Sequence, residues 1–160
     1  GLNCLGDCIS IDRRMGTDWI LTPHPGEMAR LTGQSIGQIQ GNRTACATQF
    51  ARRYPSVTLV LKGAGTLVAQ GSRLAQNPTG NPGMSRGGSG DVLAGMIAAL
   101  AAQGLSPWEA ACAGVYLHGM AGDAAAAQFS EQAMLPRDLL ACLPEVFLRL
   151  ERFRDQHGTG

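Results

Sequence analysis

The sequence predicts an α/β fold, and three observations carry that prediction. Two β-branched apolar runs, VTLVL at 57–61 and TLVA at 66–69, flank a glycine turn, the pattern of a strand pair. From Asp91 onward, Val92, Leu93, Met96, Ile97 and Leu100 recur at the three-and-four spacing of one helix face. Glycine is abundant, 22 residues in 160, about twice the usual share near 7%, while charged residues make up only 16%. A compact, loop-rich protein is expected. With 44% hydrophobic content the chain can bury a core, and its length suits one domain over residues 1–160.

The elements follow in order. DWILTPHPGEMARL reads as a short strand at 19–21, a turn, and a helix opened by Pro25, whose fixed φ and missing N–H suit the first helical position. His24 and Glu27 bracket that helix start. Ser35-Ile36-Gly37-Gln38 is a capping box that begins a helix running to about Arg53, and Pro55 stops it. Strand 57–61, the turn Gly63-Ala64-Gly65 and strand 66–69 come next, with a third short strand at 73–76 after Gly71-Ser72. The helix from Asp91 ends at Gly104. Ser106-Pro107-Trp108-Glu109 supplies a capping box with proline at the first helical position, opening an Ala- and Gly-rich helix to about Ala127 whose small side chains allow close packing. A last helix runs from Pro136 to about Arg154, bent or interrupted at Pro144.

Composition excludes several function classes. A net charge of +1 without a dense run of Lys or Arg gives no footprint for nucleic acid or an anionic membrane surface. No stretch approaches 18 apolar residues, and GLNCLGDC lacks the regions of a signal peptide. A soluble, cytoplasmic protein is expected. Cys4, Cys8, Cys46, Cys112 and Cys142 form no CxxC pair and have no His at metal-ligand spacing, so they are read as buried or idle thiols.

The segment NPTGNPGMSRGGSGDVLAG at 77–95 carries the chemistry. A helix N-terminus leaves N–H groups unpaired and carries partial positive charge, so a glycine-rich turn leading into one makes an anion cradle. Gly87-Gly88-Ser89-Gly90 is such a turn, and Asp91 beyond it can take a proton from an attacking hydroxyl. The other reading is a plain loop with Asp91 as a helix cap. Neither a P-loop nor a complete G-x-G-x-x-G is present. His24 reads as a contact or as the cap of the helix at Pro25, Lys62 as a phosphate or ribose contact or as a solvated strand end, and Glu27 as a capping carboxylate. His118 and Asp123 read as packed or structural, and Arg86 as a phosphate contact or a solvent-facing residue.

Four ordered strings, TPHPGE at 22–27, LKGAGT at 61–66, GNPGM with GGSGDVLAG across 80–95, and CAGVYLHGMAGD at 112–123, resemble the NAD(P)H-hydrate dehydratases of the ribokinase-like superfamily. The resemblance implies a three-layer α/β/α fold, here its C-terminal portion only. It also implies a metabolite-repair enzyme that uses ADP or ATP with Mg2+ to dehydrate the S epimer of hydrated NADH or NADPH. The hydrate hydroxyl is phosphorylated and phosphate is then lost, with bacterial members generally using ADP and eukaryotic members ATP. Residue by residue, His24 matches a substrate contact, Asp91 a substrate contact and the base, and Lys62, Gly63, Ala64, Gly65, Thr66 and Gly90 the nucleotide-binding positions. GLN at the start resembles the end of a D-A-D-G-L-N segment that follows a central strand of the family, so an N-terminal half, and in many relatives an epimerase domain, is expected upstream. A homo-oligomer is expected. Two other readings stay open, a ribokinase-like kinase of the hydroxymethylpyrimidine or hydroxyethylthiazole type and a non-catalytic nucleotide-binding fragment.

Overall fold

The computed structural model describes residues 19–157. Four strands form one sheet in the order β1-β2-β3-β4. Strand β1 (Trp19–Leu21) runs parallel to β2 (Val57–Leu61), and β3 (Leu67–Gln70) and β4 (Arg73–Gln76) continue antiparallel from β2. The β1–β2 crossover consists of α1 (Pro25–Thr32), α2 (Ile36–Gly41) and α3 (Arg43–Arg53). After β4 the chain makes a 3-10 turn (Pro82–Met84) and three helices: α4 (Ser89–Ala102), α5 (Pro107–Ala133) and α6 (Pro136–His157). The segment at the very start of the sequence, with Cys4 and Cys8, lies outside the described residues, and Cys46, Cys112 and Cys142 are free thiols.

All five residues of β2 are buried, because both faces of the sheet are covered. On one face Leu21, Val57, Leu59, Leu61, Leu67 and Ala69 meet Met28, Ile39 and Phe50 of α1–α3. On the other, Val60, Val68 and Ile20 meet Leu93 and Ile97 of α4 and Ala110, Ala111 and Val115 of α5. Period-two alternation thus sorts one apolar run into two cores. Helix α6 joins a third cluster, where its Leu139, Cys142 and Val146 pack on Leu117, Ala121, Ala124 and Ala125 of α5.

Three expected boundaries differ. The helix expected from Ser35 to Arg53 is broken at Asn42 (φ −153, ψ 70), whose Oδ1 accepts from Ala45 N–H at 3.0 Å and so caps a new helix. Helix α5 continues past Ala127 to Ala133, with the non-helical Ser130 (φ 66, ψ 157) inside its last turn. Helix α6 runs through Pro144 without interruption, held by its packing on α5.

The glycines of α5 admit two neighbours. A Cβ on Gly114 would lie 2.5 Å from Ile97 of α4, one on Gly119 2.0 Å from Thr79 Oγ1, and one on Gly122 2.2 Å from Met84 Sδ. The loop after β4 therefore lies directly against the helix. It is tied there by Thr79 Oγ1 donating to Tyr116 O (3.0 Å) and by the Asp123 carboxylate accepting from Gly80 N–H (2.9 Å) and Asn81 Nδ2 (3.0 Å). Asp123 is thus a structural tie. So is His118, buried in α5, whose Nε2 lies 3.0 Å from Ser89 O and 3.4 Å from Ser89 Oγ and pins the start of α4.

Two outcomes are expected from this packing. Gly119→Ala gains up to about 1 kcal/mol of helix propensity, but its Cβ meets Thr79 backbone as well as side chain, and overpacking of that kind costs roughly 1–3 kcal/mol. The urea midpoint of the variant should fall, and an equal or higher midpoint would show that the loop has room. For His118, burial lowers the pKa from 6.5, so the unfolded chain binds the proton more readily. Its contribution to stability is complete above pH 6.5 and is lost as pH falls below that value. Thermal unfolding between about pH 5 and pH 8 should show a shallower acid-side loss for His118→Gln than for the parent, and parallel profiles would remove His118 as the titrating group.

Candidate active site

The first wall of the site is the turn between β1 and α1. His24 is the N-cap of α1, its Nδ1 accepting from Gly26 N–H (3.0 Å) and Glu27 N–H (3.2 Å), while Glu27 Oε2 accepts from His24 N–H (2.8 Å). This is a capping box with histidine in the role usually taken by serine or threonine. With Nδ1 as acceptor, the neutral ring carries its proton on Nε2. His24 is exposed and also lines the cavity, so the two readings of this residue are compatible. Glu27 Oε2 lies 3.8 Å from Lys62 Nζ and 3.7 Å from His24 Nε2.

The second wall is the loop after β2. Lys62 is half-buried and not a solvated strand end; its N–H donates to Pro23 O at 2.9 Å, joining this loop to the first. Gly63 (φ 141) and Gly65 (φ 58) take backbone conformations that suit glycine. Sequence reasoning missed Arg43, the first residue of α3. Its guanidinium donates to Leu61 O at 2.9 Å and to Ala64 O, gripping the loop from behind. Burial pulls its pKa down from the usual arginine value, which still leaves the guanidinium charged. No local pattern marks the residue, because its two acceptors come from a strand and loop brought near by tertiary packing.

The third wall is the glycine turn. Gly88 has φ 95 and is the N-cap of α4, with no side chain bonded across the helix start. Among the described residues, the N–H groups of Gly88 and Gly90 have no protein acceptor, whereas Ser89 N–H donates to Arg86 O at 3.2 Å. A Cβ on Gly90 would lie 3.1 Å from Lys62 Nζ, so the ammonium stands directly over the first turn. Arg86 is exposed and lines the cavity, so both of its expected readings stay open, and it has a further role. Its guanidinium turns to the end of α5 and donates to Glu131 O (3.5 Å) and Gln132 O, anchoring the turn where α5 is distorted at Ser130.

These walls enclose a cavity of about 760 Å³, within the range of small-molecule sites. It brings together His24, Lys62, Gly63, Ala64, Gly65, Thr66, Ser89 and Gly90, and residues 76–82 of the loop on α5 close its far side. Gly87, Gly88 and Asp91 are not in the lining; Asp91 is exposed in the first turn of α4, one residue past Gly90. A pocket floored by open N–H groups, a helix N-terminus and an ammonium is built to receive an anion.

A family model for NAD(P)H-hydrate dehydratases matches residues 1–145. The bifunctional NAD(P)H-hydrate repair enzyme Nnr of Moorella thermoacetica is 54% identical over 82% of this chain and 25% of its own length. The ADP-dependent (S)-NAD(P)H-hydrate dehydratase of Bacillus subtilis is 38% identical over 82% of this chain and 48% of its own. The ADP/ATP-dependent dehydratase structure from B. subtilis, co-crystallised with ATP and Mg2+, superposes with a TM-score of 0.78 at 36% identity, covering 82% of this chain and 48% of that one. A ribokinase-like superfamily protein from Enterococcus faecalis superposes with a TM-score of 0.68 at 36% identity, covering 81% and 44%. The chain thus spans from a quarter to about half the length of these relatives. Its fold is ribokinase-like, and on the extent and identity of these matches the chain belongs to the NAD(P)H-hydrate dehydratase family.

Proposed function

We propose that this chain carries the nucleotide and phosphate half of an ADP- or ATP-dependent dehydratase acting on the S epimer of NAD(P)H hydrate. The observation that supports this most is the meeting of three donor groups on one cavity: Lys62 Nζ, the first turn of α4 at Gly90, and the loop at 63–66. Phosphoryl transfer asks little of a protein beyond position and positive charge. Here the loop at 62–66 takes the nucleotide, and Gly90 with Lys62 takes the phosphate to be transferred. Gly65 takes a positive φ that a side chain would strain, and a Cβ there would lie 2.5 Å from Gln76 Nε2, so a side chain would displace the Gln76 amide beside the loop.

Asp91 is assigned as the base. It takes the proton of the hydrate hydroxyl as that oxygen attacks the terminal phosphorus and the P–O bond to the nucleotide breaks. Phosphate then leaves with the C–O electron pair, and loss of a proton from the adjacent ring carbon restores the double bond. His24, whose Nδ1 is taken up by the helix cap and whose ring lines the cavity, is assigned to hold the hydrated nucleotide. No three His, Cys, Asp or Glu groups converge to hold a metal among the described residues, so Mg2+ would be held chiefly by nucleotide phosphates and water. When bound it neutralises phosphate charge. No described helix is long and apolar enough to cross a membrane, and the repair reaction is assigned to the cytoplasm.

The assay is ADP- and ATP-dependent formation of NADH from its S hydrate by the full chain, with inorganic phosphate as co-product; a stable phosphoester of a small alcohol would identify a kinase instead. Asp91→Asn should leave nucleotide binding intact and lower turnover by roughly 100-fold or more, and near-normal turnover would remove this carboxylate from the mechanism. Gly90→Val should weaken ADP and ATP binding with little loss of thermal stability, because its nearest neighbour is the flexible end of Lys62. Unchanged calorimetric affinity would count against the cradle.

A further inference from the structure

The loop at 62–66 is polarised, and its polarity has an identifiable source. Three of its five carbonyls and the one just before it are held by the protein: Leu61 O and Ala64 O by Arg43, Gly63 O by Thr66 Oγ1 at 3.0 Å, and Thr66 O by Asn77 N–H at 2.9 Å. The N–H groups of 63–66 are not. Among the described residues, Gly63, Ala64, Gly65 and Thr66 donate to no protein acceptor, and all four residues line the cavity. Successive N–H groups left open in this way form an anion-binding nest.

We infer that Arg43 is a positioning residue for the nucleotide, turning the carbonyls of this loop inward so that its N–H groups face the cavity. The inference rests on the assignment of this loop to the nucleotide. A forked donor suits the geometry, because Leu61 O and Ala64 O stand on either side of Lys62 and Gly63, and one planar guanidinium spans both. Gly63 packs closely on that guanidinium, where a Cβ would lie 3.0 Å from Arg43 Cζ. The break at Asn42 then has a use, since capping α3 at that residue puts Arg43 at the first helical position, beneath the loop. The guanidinium also places a fixed positive charge behind the nest, with Lys62 in front.

The test compares Arg43→Met, Arg43→Gln and Arg43→Lys with the parent full chain, measuring ADP affinity by calorimetry, KM for ADP and for the hydrate, kcat and Tm. Loss of two charge-assisted hydrogen bonds should raise the ADP Kd and KM by about tenfold or more, with the hydrate KM and kcat within about threefold. Arg43→Lys keeps the charge but cannot span both carbonyls, so it should stay closer to Arg43→Met than to the parent. Parent-like ADP affinity in Arg43→Met or Arg43→Gln would overturn the inference and leave the functional reading standing. So would a lowered Tm with ADP affinity unchanged, or recovery by Arg43→Lys to the parent value. A parent protein that binds neither ADP nor ATP would overturn both.

Discussion

Helix α5 can be approached more closely than an ordinary helix, and the site depends on that. Where Gly114, Gly119 and Gly122 stand, α4 and the loop after β4 reach the helix at distances a single methyl group would forbid. The sheet, α4, α6 and the cavity's far wall all take their positions from one 27-residue helix. Close packing of this kind is stiff, because neighbours that interdigitate have few alternative arrangements. Stiffness suits the proposed role of this site, holding phosphate in place.

The second organising feature is where backbone hydrogen bonds end. Buried backbone groups are almost always paired, so a surface that offers several open N–H groups must satisfy the matching carbonyls elsewhere. Arg43 does this for the loop after β2, while Arg86 fixes the glycine turn to α5, each by reaching carbonyls distant in sequence. Lys62 faces the cavity, and Glu27 holds it while also closing the cap of α1.

Much of this is legible in the sequence wherever the signal is local. The capping boxes at Ser35 and Ser106, proline at the start of α1 and α5, and the three strands around the glycine turn appear where their residues place them. The cavity also gathers His24, Lys62 and Gly90 from three separate strings. What the residues do not disclose depends on distant partners. The break at Asn42 is hidden by a helical pattern on both sides, and the anchoring role of Arg86 is hidden because its acceptors, at Glu131 and Gln132, are fixed only when α5 packs against the turn. The exposure of Asp91 follows from α4 starting at Ser89, which carries the carboxylate round the helix and out of the lining.

The contact between Arg86 and Gln132 also orders events in time. The two residues are 46 apart in sequence, and the Asp123 bonds to the loop span 42 and 43. Contacts at such separations form after local ones, since the intervening chain must first be ordered. On a ribosome, which delivers residues from the N-terminus, the glycine turn emerges well before the helix end that anchors it. The sheet hairpin and α1–α3 can therefore assemble while the glycine turn is still unanchored, and the walls of the cavity are all fixed only once α5 has been made nearly to its last turn.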